Sequence, residues 1–226
     1  MPPIRPLLVL CWGALLAAAA IGSLHAQQRI ELGFTTAVSD RLIELYAGRF
    51  GASAAERLQA WKLHARNRAA APGTESDLLE EVNRVLNRIA FVDDQKHWGE
   101  IDYWATPAES VASNGGDCED YTIAKYFLLK ELGVPISKLR LTYVKSVKLN
   151  QAHMVLAYYA RPNAEPLVLD NIEQSVRPAS QRTDLIPVYS FNDEEVWVEM
   201  RGRSGSPTQI RNWSALIARL ERERRT

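Results

Sequence analysis

The segment Asn114-Gly115-Gly116-Asp117-Cys118-Glu119-Asp120-Tyr121 runs a flexible Gly-Gly turn straight into a helix whose first turn carries a cysteine. A helix N-terminus holds partial positive charge and unsatisfied N–H donors. A thiolate is stabilised there, as a cysteine nucleophile requires. The same N–H groups can hold a developing oxyanion. The helix is expected to run over 118–132 and to stop at Gly133 and Pro135. Three carboxylates, Asp117, Glu119 and Asp120, crowd the cysteine. Their charge disfavours a thiolate. Asp117 fits an N-cap, and acids are favoured in a first helical turn. The trio equally suits a hard divalent cation such as Ca²⁺, which would cancel the local charge. The spacing is not that of an EF-hand loop, so the residues alone leave capping and metal binding both open.

Outward toward the C-terminus the pattern turns β-like. Strands are expected over Leu139–Ser146, 152–159, 166–169 and 196–200, followed by an amphipathic helix over 212–225 with a solvated, Arg-rich face. Toward the N-terminus the pattern is helical. Residues 39–50 carry Leu42, Ile43, Leu45 and Tyr46 at helical spacing. Ser53-Ala54-Ala55-Glu56 reads as a capping box opening a second helix, and Thr74 or Ser76 can cap a third. Thr106-Pro107-Ala108-Glu109 is a further capping box with proline at the first helical position. The layout is α+β: a helical lobe at about 30–113, then the cysteine helix packed on an antiparallel sheet at about 114–226.

One histidine begins a strand, in Gln151-Ala152-His153-Met154-Val155-Leu156. Asp170 ends the next strand-like run, Leu167-Val168-Leu169-Asp170. A hairpin pairing these strands sets His153 beside Asp170, and the Cys118 helix can pack on that sheet. The order Cys118, His153, Asp170 then supplies nucleophile, base and orienting carboxylate.

Composition narrows the class. The chain has 226 residues, with 27 Lys plus Arg against 27 Asp plus Glu. It is 46% hydrophobic and 24% charged, as globular proteins are. The balanced charge argues against a nucleic-acid partner. Residues 1–26 read as a cleaved signal peptide: Arg5 is the only charge, an apolar run follows, and small residues precede a cut after Ala26. The run is short of the roughly 20 residues that a membrane span needs, so no stable membrane insertion is expected. Cleavage leaves one domain over 27–226 with a single cysteine, Cys118, in an oxidising compartment.

These residues resemble the bacterial transglutaminase-like cysteine proteinases, and among them the periplasmic adhesin-releasing proteases of the LapG type. The likeness spans about 98–197. It is carried by Asp102-Tyr103-Trp104-Ala105-Thr106-Pro107, Gly116-Asp117-Cys118-Glu119-Asp120-Tyr121, Ala124-Lys125-Tyr126, His153-Met154-Val155-Leu156 and Leu169-Asp170-Asn171. It continues in Arg182-Thr183-Asp184-Leu185 and Pro187-Val188-Tyr189-Ser190-Phe191-Asn192. The resemblance implies a papain-like, transglutaminase-type fold with Cys118 as nucleophile, His153 as general base and Asp170 as its orienting partner. It implies calcium bound beside the nucleophile, at Asp117, Glu119 and Asp120. It further implies a large surface adhesin as substrate, cut near its N-terminus with dispersal of a biofilm. The periplasmic domain of an inner-membrane cyclic di-GMP receptor would act as inhibitor. Trp104 is a candidate oxyanion donor by position alone. A transglutaminase or amidase would use the same three residues, and a binding module would leave the thiol idle.

Overall fold

The computed structural model describes residues 38–71, 73–198, 202–203 and 205–226. The signal-peptide expectation for residues 1–26 lies outside the described residues. Among the described residues no helix is long and apolar enough to cross a membrane.

Three helices lead the chain: α1 (Asp40–Phe50), α2 (Ala52–Ala70) and α3 (Glu75–Leu86). Ser39 caps α1, and Thr74 caps α3 in a reciprocal box with Asp77. The expected box at Ser53 is not formed. Gly51, at φ 88°, turns the chain sharply after α1 and itself takes the N-cap position of α2. Ser53 Oγ instead accepts from Arg57 within that helix. Strand β1 (Ala90–Phe91), α4 (Asp94–His97), α5 (Pro107–Ser113) and β2 (Gly115–Gly116) then lead into α6 (Cys118–Glu131). Thr106 and Glu109 close the predicted capping box on α5.

The second half is a seven-stranded antiparallel sheet: β3 (Leu139–Ser146), β4 (Gln151–Tyr158), β5 (Leu167–Leu169), β6 (Arg177–Pro178), β7 (Leu185–Phe191), β8 (Val196–Val198) and β9 (Gly202–Arg203). Its order is β6-β5-β4-β3-β7-β8-β9. The expected β4–β5 pairing is present, with Leu156 opposite Leu169. β7 has no counterpart among the expected strands. Pro187 interrupts its pattern, and the sheet accommodates it where the β3–β7 register shifts between Tyr143 and Val144.

The core lies between the helices and one sheet face. Alternation puts Leu141 of β3 and Met154, Leu156 and Tyr158 of β4 against Ile123, Phe127 and Leu128 of α6. The closing helix α7 (Arg211–Arg225) seats Trp213, Leu216 and Leu220 in the same core. Its polar face is less solvated than expected. Buried Glu223 accepts from the Tyr46 and Thr106 hydroxyls, at 2.5 Å each. Arg219 lies 4.4 Å over the Tyr103 ring.

Candidate active site

Cys118 opens α6, with Asp117 at the N-cap position. The turn before it is made by Asn114, whose φ of 55° is left-handed. Gly115 and Gly116 are not at positive φ, so the expected flexible turn is a short extended stretch. Space explains both glycines. A Cβ on Gly115 would lie 2.5 Å from His97 Cε1, and one on Gly116 would lie 2.6 Å from Asp120 Oδ2. The two glycines pair in parallel with Ala90 and Phe91, and Val92 N–H donates to Gly116 O at 3.0 Å. That pairing carries Asp94, at the start of α4, to the cysteine loop.

The thiol donates to Glu119 Oε2 at 2.9 Å; among the described residues it makes no hydrogen bond to His153. The Thr122 hydroxyl lies 2.8 Å from Cys118 O and 3.0 Å from Met154 O, which ties the first turn of α6 to β4 beside His153. Burial pushes the Cys118 thiol well up, and Glu119 and Asp117 add to the shift. The Met154 N–H works the other way.

His153 and Asp170 are 2% and 1% exposed. His153 Nε2 and Asp170 Oδ1 are 2.8 Å apart. Asp170 Oδ2 accepts from Arg182 Nη2 at 2.7 Å, and Oδ1 from Ile172 N at 3.1 Å. Arg182 also donates to Asp184 through Nε and Nη2, at 3.0 and 2.9 Å. Burial alone would raise Asp170. The bonds and charges of His153 and Arg182, with the Ile172 N–H, outweigh it and hold the carboxyl at about 2. Lys125 on α6 is fully buried, which presses its ammonium down to about 7 against the pull of Asp170.

The acidic side of the site is organised differently. Asp94, Asp117 and Asp120 offer oxygens within 4.8 Å of one another, and Asp117, Cys118 and Glu119 form a second such group. Asp120 Oδ1 accepts from Ala105 N at 2.7 Å, and Asp94 Oδ2 from Tyr103 N at 2.5 Å. Asp94 Oδ1 and Asp117 Oδ1 are buried without a partner. Among the described residues no Lys or Arg forms a salt bridge with Asp94, Asp117 or Asp120. Burial and mutual repulsion push Asp94 to about 6 and Asp117 to about 10, and raise Asp120 well above its ordinary value. Such a cluster can receive a hard cation.

The chain therefore brings His153 to Asp170, and Asp117 to both Asp120 and Glu119. Sequence reasoning missed Asp94, which only the β1–β2 pairing brings in. It also gave no role to Arg182, whose signal was its place in a quoted motif. Trp104 gives its indole N–H to Asp102 at 2.9 Å and stacks on Phe191 in the core, so that donor is already engaged.

The family of bacterial transglutaminase-like cysteine proteinases matches residues 51–204. This chain belongs to that family. The proteinase is also similar to solved structures of LapG from Legionella pneumophila. One shares 38% identity over 81% of this chain and 96% of that one, with a TM-score of 0.70. A calcium-bound LapG shares 39% identity over 81% and 99%, at a TM-score of 0.68. An EGTA-treated LapG shares 38% identity over 81% and 98%, at 0.71. No curated protein matches the proteinase.

Proposed function

We propose that this proteinase is a calcium-dependent periplasmic endopeptidase that cuts a large surface adhesin near its N-terminus and so releases cells from a biofilm. The reading rests foremost on the buried 2.8 Å contact between His153 and Asp170, beside the strand residue that meets the Cys118 loop. Cys118 is the nucleophile, His153 the general base and Asp170 the orienting carboxylate. With Nε2–H given to Asp170, Nδ1 of His153 keeps its lone pair for the thiol proton. The thiolate adds to the scissile carbonyl, and amides at the N-terminus of α6 receive the oxyanion. The C–N bond then breaks, and the amine leaves with the proton from His153. Water, losing a proton to His153, cleaves the resulting thioester and restores the thiol.

Asp94, Asp117 and Asp120 fit a calcium ion, because two of their buried oxygens have no partner and, among the described residues, no Lys or Arg forms a salt bridge with them; Glu119 lies next to this group through Asp117. Asp94, Asp117, Glu119 and Asp120 would hold it. Bound there, the ion supplies the positive charge that a thiolate beside three acids lacks. The calcium-bound LapG supports this assignment by similarity. Residues 1–26 support export to the periplasm. The adhesin substrate, and inhibition by a cyclic di-GMP receptor's periplasmic domain, follow from the LapG-type resemblance.

Cleavage of an adhesin's N-terminal fragment tests the reading, run with calcium, with a chelator and with Cys118→Ser. Cutting is expected only with calcium and the thiol, with a loss of about 10³-fold or more in the serine variant. Retained cutting by Cys118→Ser would sink the mechanism. Thiol-dependent cutting that ignores the chelator would remove calcium from it.

A further inference from the structure

The sheet has a second face, turned away from the helices. On it lies a cavity of about 490 Å³. Its floor is Val144, Val155 and Val168, which cluster apart from the main core. No carboxylate lines it among the described residues, yet two arginines do, Arg140 and Arg182.

Each arginine brings an N–H that is buried and unpartnered: Nε of Arg140 and Nη1 of Arg182. Arg182 is itself only 7% exposed. Its charge is already met by Asp170 and Asp184, so Nη1 calls for a neutral acceptor such as a carbonyl. Arg140 differs. Its guanidinium lies 4.0 Å from the Trp197 ring centroid and 4.3 Å from that of Tyr159. Contact with the rings engages the π-face of the guanidinium rather than its in-plane N–H donors, which suit an anion. No ion pair engages Arg140 among the described residues.

The two arginines mark the ends of a trough. Arg140 stands opposite Ala157 in the sheet, whereas Arg182 reaches Asp170, the partner of His153. Asp170 follows Leu169, which pairs with Leu156, and it reaches His153, so those positions lie two to four residues of β4 apart, about 7–13 Å at the rise of a strand. That is the span of a short extended peptide of up to about four residues. A fatty acid would satisfy Arg140 and lay hydrocarbon on the valines, but would leave the Arg182 N–H orphaned. A peptide satisfies both ends.

We propose that this trough is a second peptide-binding site, distinct from the thiol side of the sheet. It takes an extended segment with an acidic side chain at the Arg140 end, apolar side chains on the valine floor and a backbone carbonyl at Arg182. The proposal does not rest on the cleavage reaction proposed above, although Arg182 also holds Asp170.

The test is retention of two peptide pools by the purified full chain, read by mass spectrometry. The pools are acetyl-Glu-Xaa-Xaa-Xaa-amide and its Gln counterpart, with Xaa drawn from Val, Leu and Thr. The Glu pool is expected to be retained at least tenfold better than the Gln pool. Arg140→Met should abolish that preference with cleavage activity unchanged, and Arg140→Lys should keep part of it. Equal retention of the two pools, or a preference that survives Arg140→Met, overturns the proposal. Octanoate retained in preference to every peptide also overturns it, in favour of a lipid site. Circular dichroism of Arg140→Met separates lost binding from lost fold, and an unfolded variant leaves the Glu-against-Gln comparison to decide.

Discussion

Asp170 and Asp117 are both largely buried carboxylates of one site, yet their surroundings drive them in opposite directions. Asp170 has His153, Arg182 and a backbone N–H around it and sits at about 2. Asp117 has Glu119, Asp120 and Asp94 around it and is pushed to about 10. Burial raises both; the sign of the neighbouring charge decides the result. The first group is electrically complete as the chain folds. The second is not: its acids repel one another, and a bound cation would remove that repulsion.

Removing the cation from the complete group should have the largest effect. Arg182→Met leaves Asp170 and Asp184 without their guanidinium, and breaking a buried pair costs about 3–5 kcal/mol. Urea denaturation reads this directly. A variant within about 1 kcal/mol of the parent would mean that Lys125 and His153 already suffice, and the contrast would lose its basis.

Acid titration comes next. The folded pKa of Asp170 is depressed from 3.8 to about 2, so its contribution is present above about 4 and lost as pH falls through about 2. The loss is on the order of 2 kcal/mol. The acidic cluster has the opposite sign. Its folded values are raised, so it favours the metal-free fold at low pH, and that stability drains away as pH climbs from about 4 toward about 10. Thermal unfolding across pH with chelator should show the alkaline decline, and calcium should flatten it. An unchanged slope would detach the cluster from metal binding.

The smallest effect belongs to Asp117→Asn. It puts a neutral amide where the carboxyl must either repel its neighbours or take up a proton on folding, so the chelated protein should gain about 1 kcal/mol while the calcium-induced rise in Tm shrinks. Destabilisation together with a full calcium response would show Asp117 to be an ordinary helix cap.

The elements legible in the sequence are those specified by neighbours in the chain. The boxes at Thr74 and Thr106 formed because their partners lie three residues away. The alternation in Leu139–Ser146 fixed β3 with both ends as expected. The contact of His153 with Asp170 followed from a short antiparallel connection. What stayed hidden depends on distant partners. Pro187 conceals β7 until the bulge opposite it is known. Asp94 joins the acidic cluster only through two residue pairs of β1 and β2, 25 positions apart. The crowding that keeps Gly115 and Gly116 free of side chains comes from His97 and Asp120, and no local pattern announces it.

The two ends of the sheet carry a last consequence. One terminal strand is Arg177–Pro178 and the other is Gly202–Arg203, two residues each. Pro178 offers no N–H to a newcomer, Arg177 beside it brings repulsive charge, and two residues are too few to template a ladder at either end. A seven-stranded sheet with long, bare margins would invite copies of itself to stack edge to edge into fibrils. Here both end strands are blunted, so recruitment of another chain onto either of them by backbone pairing is disfavoured.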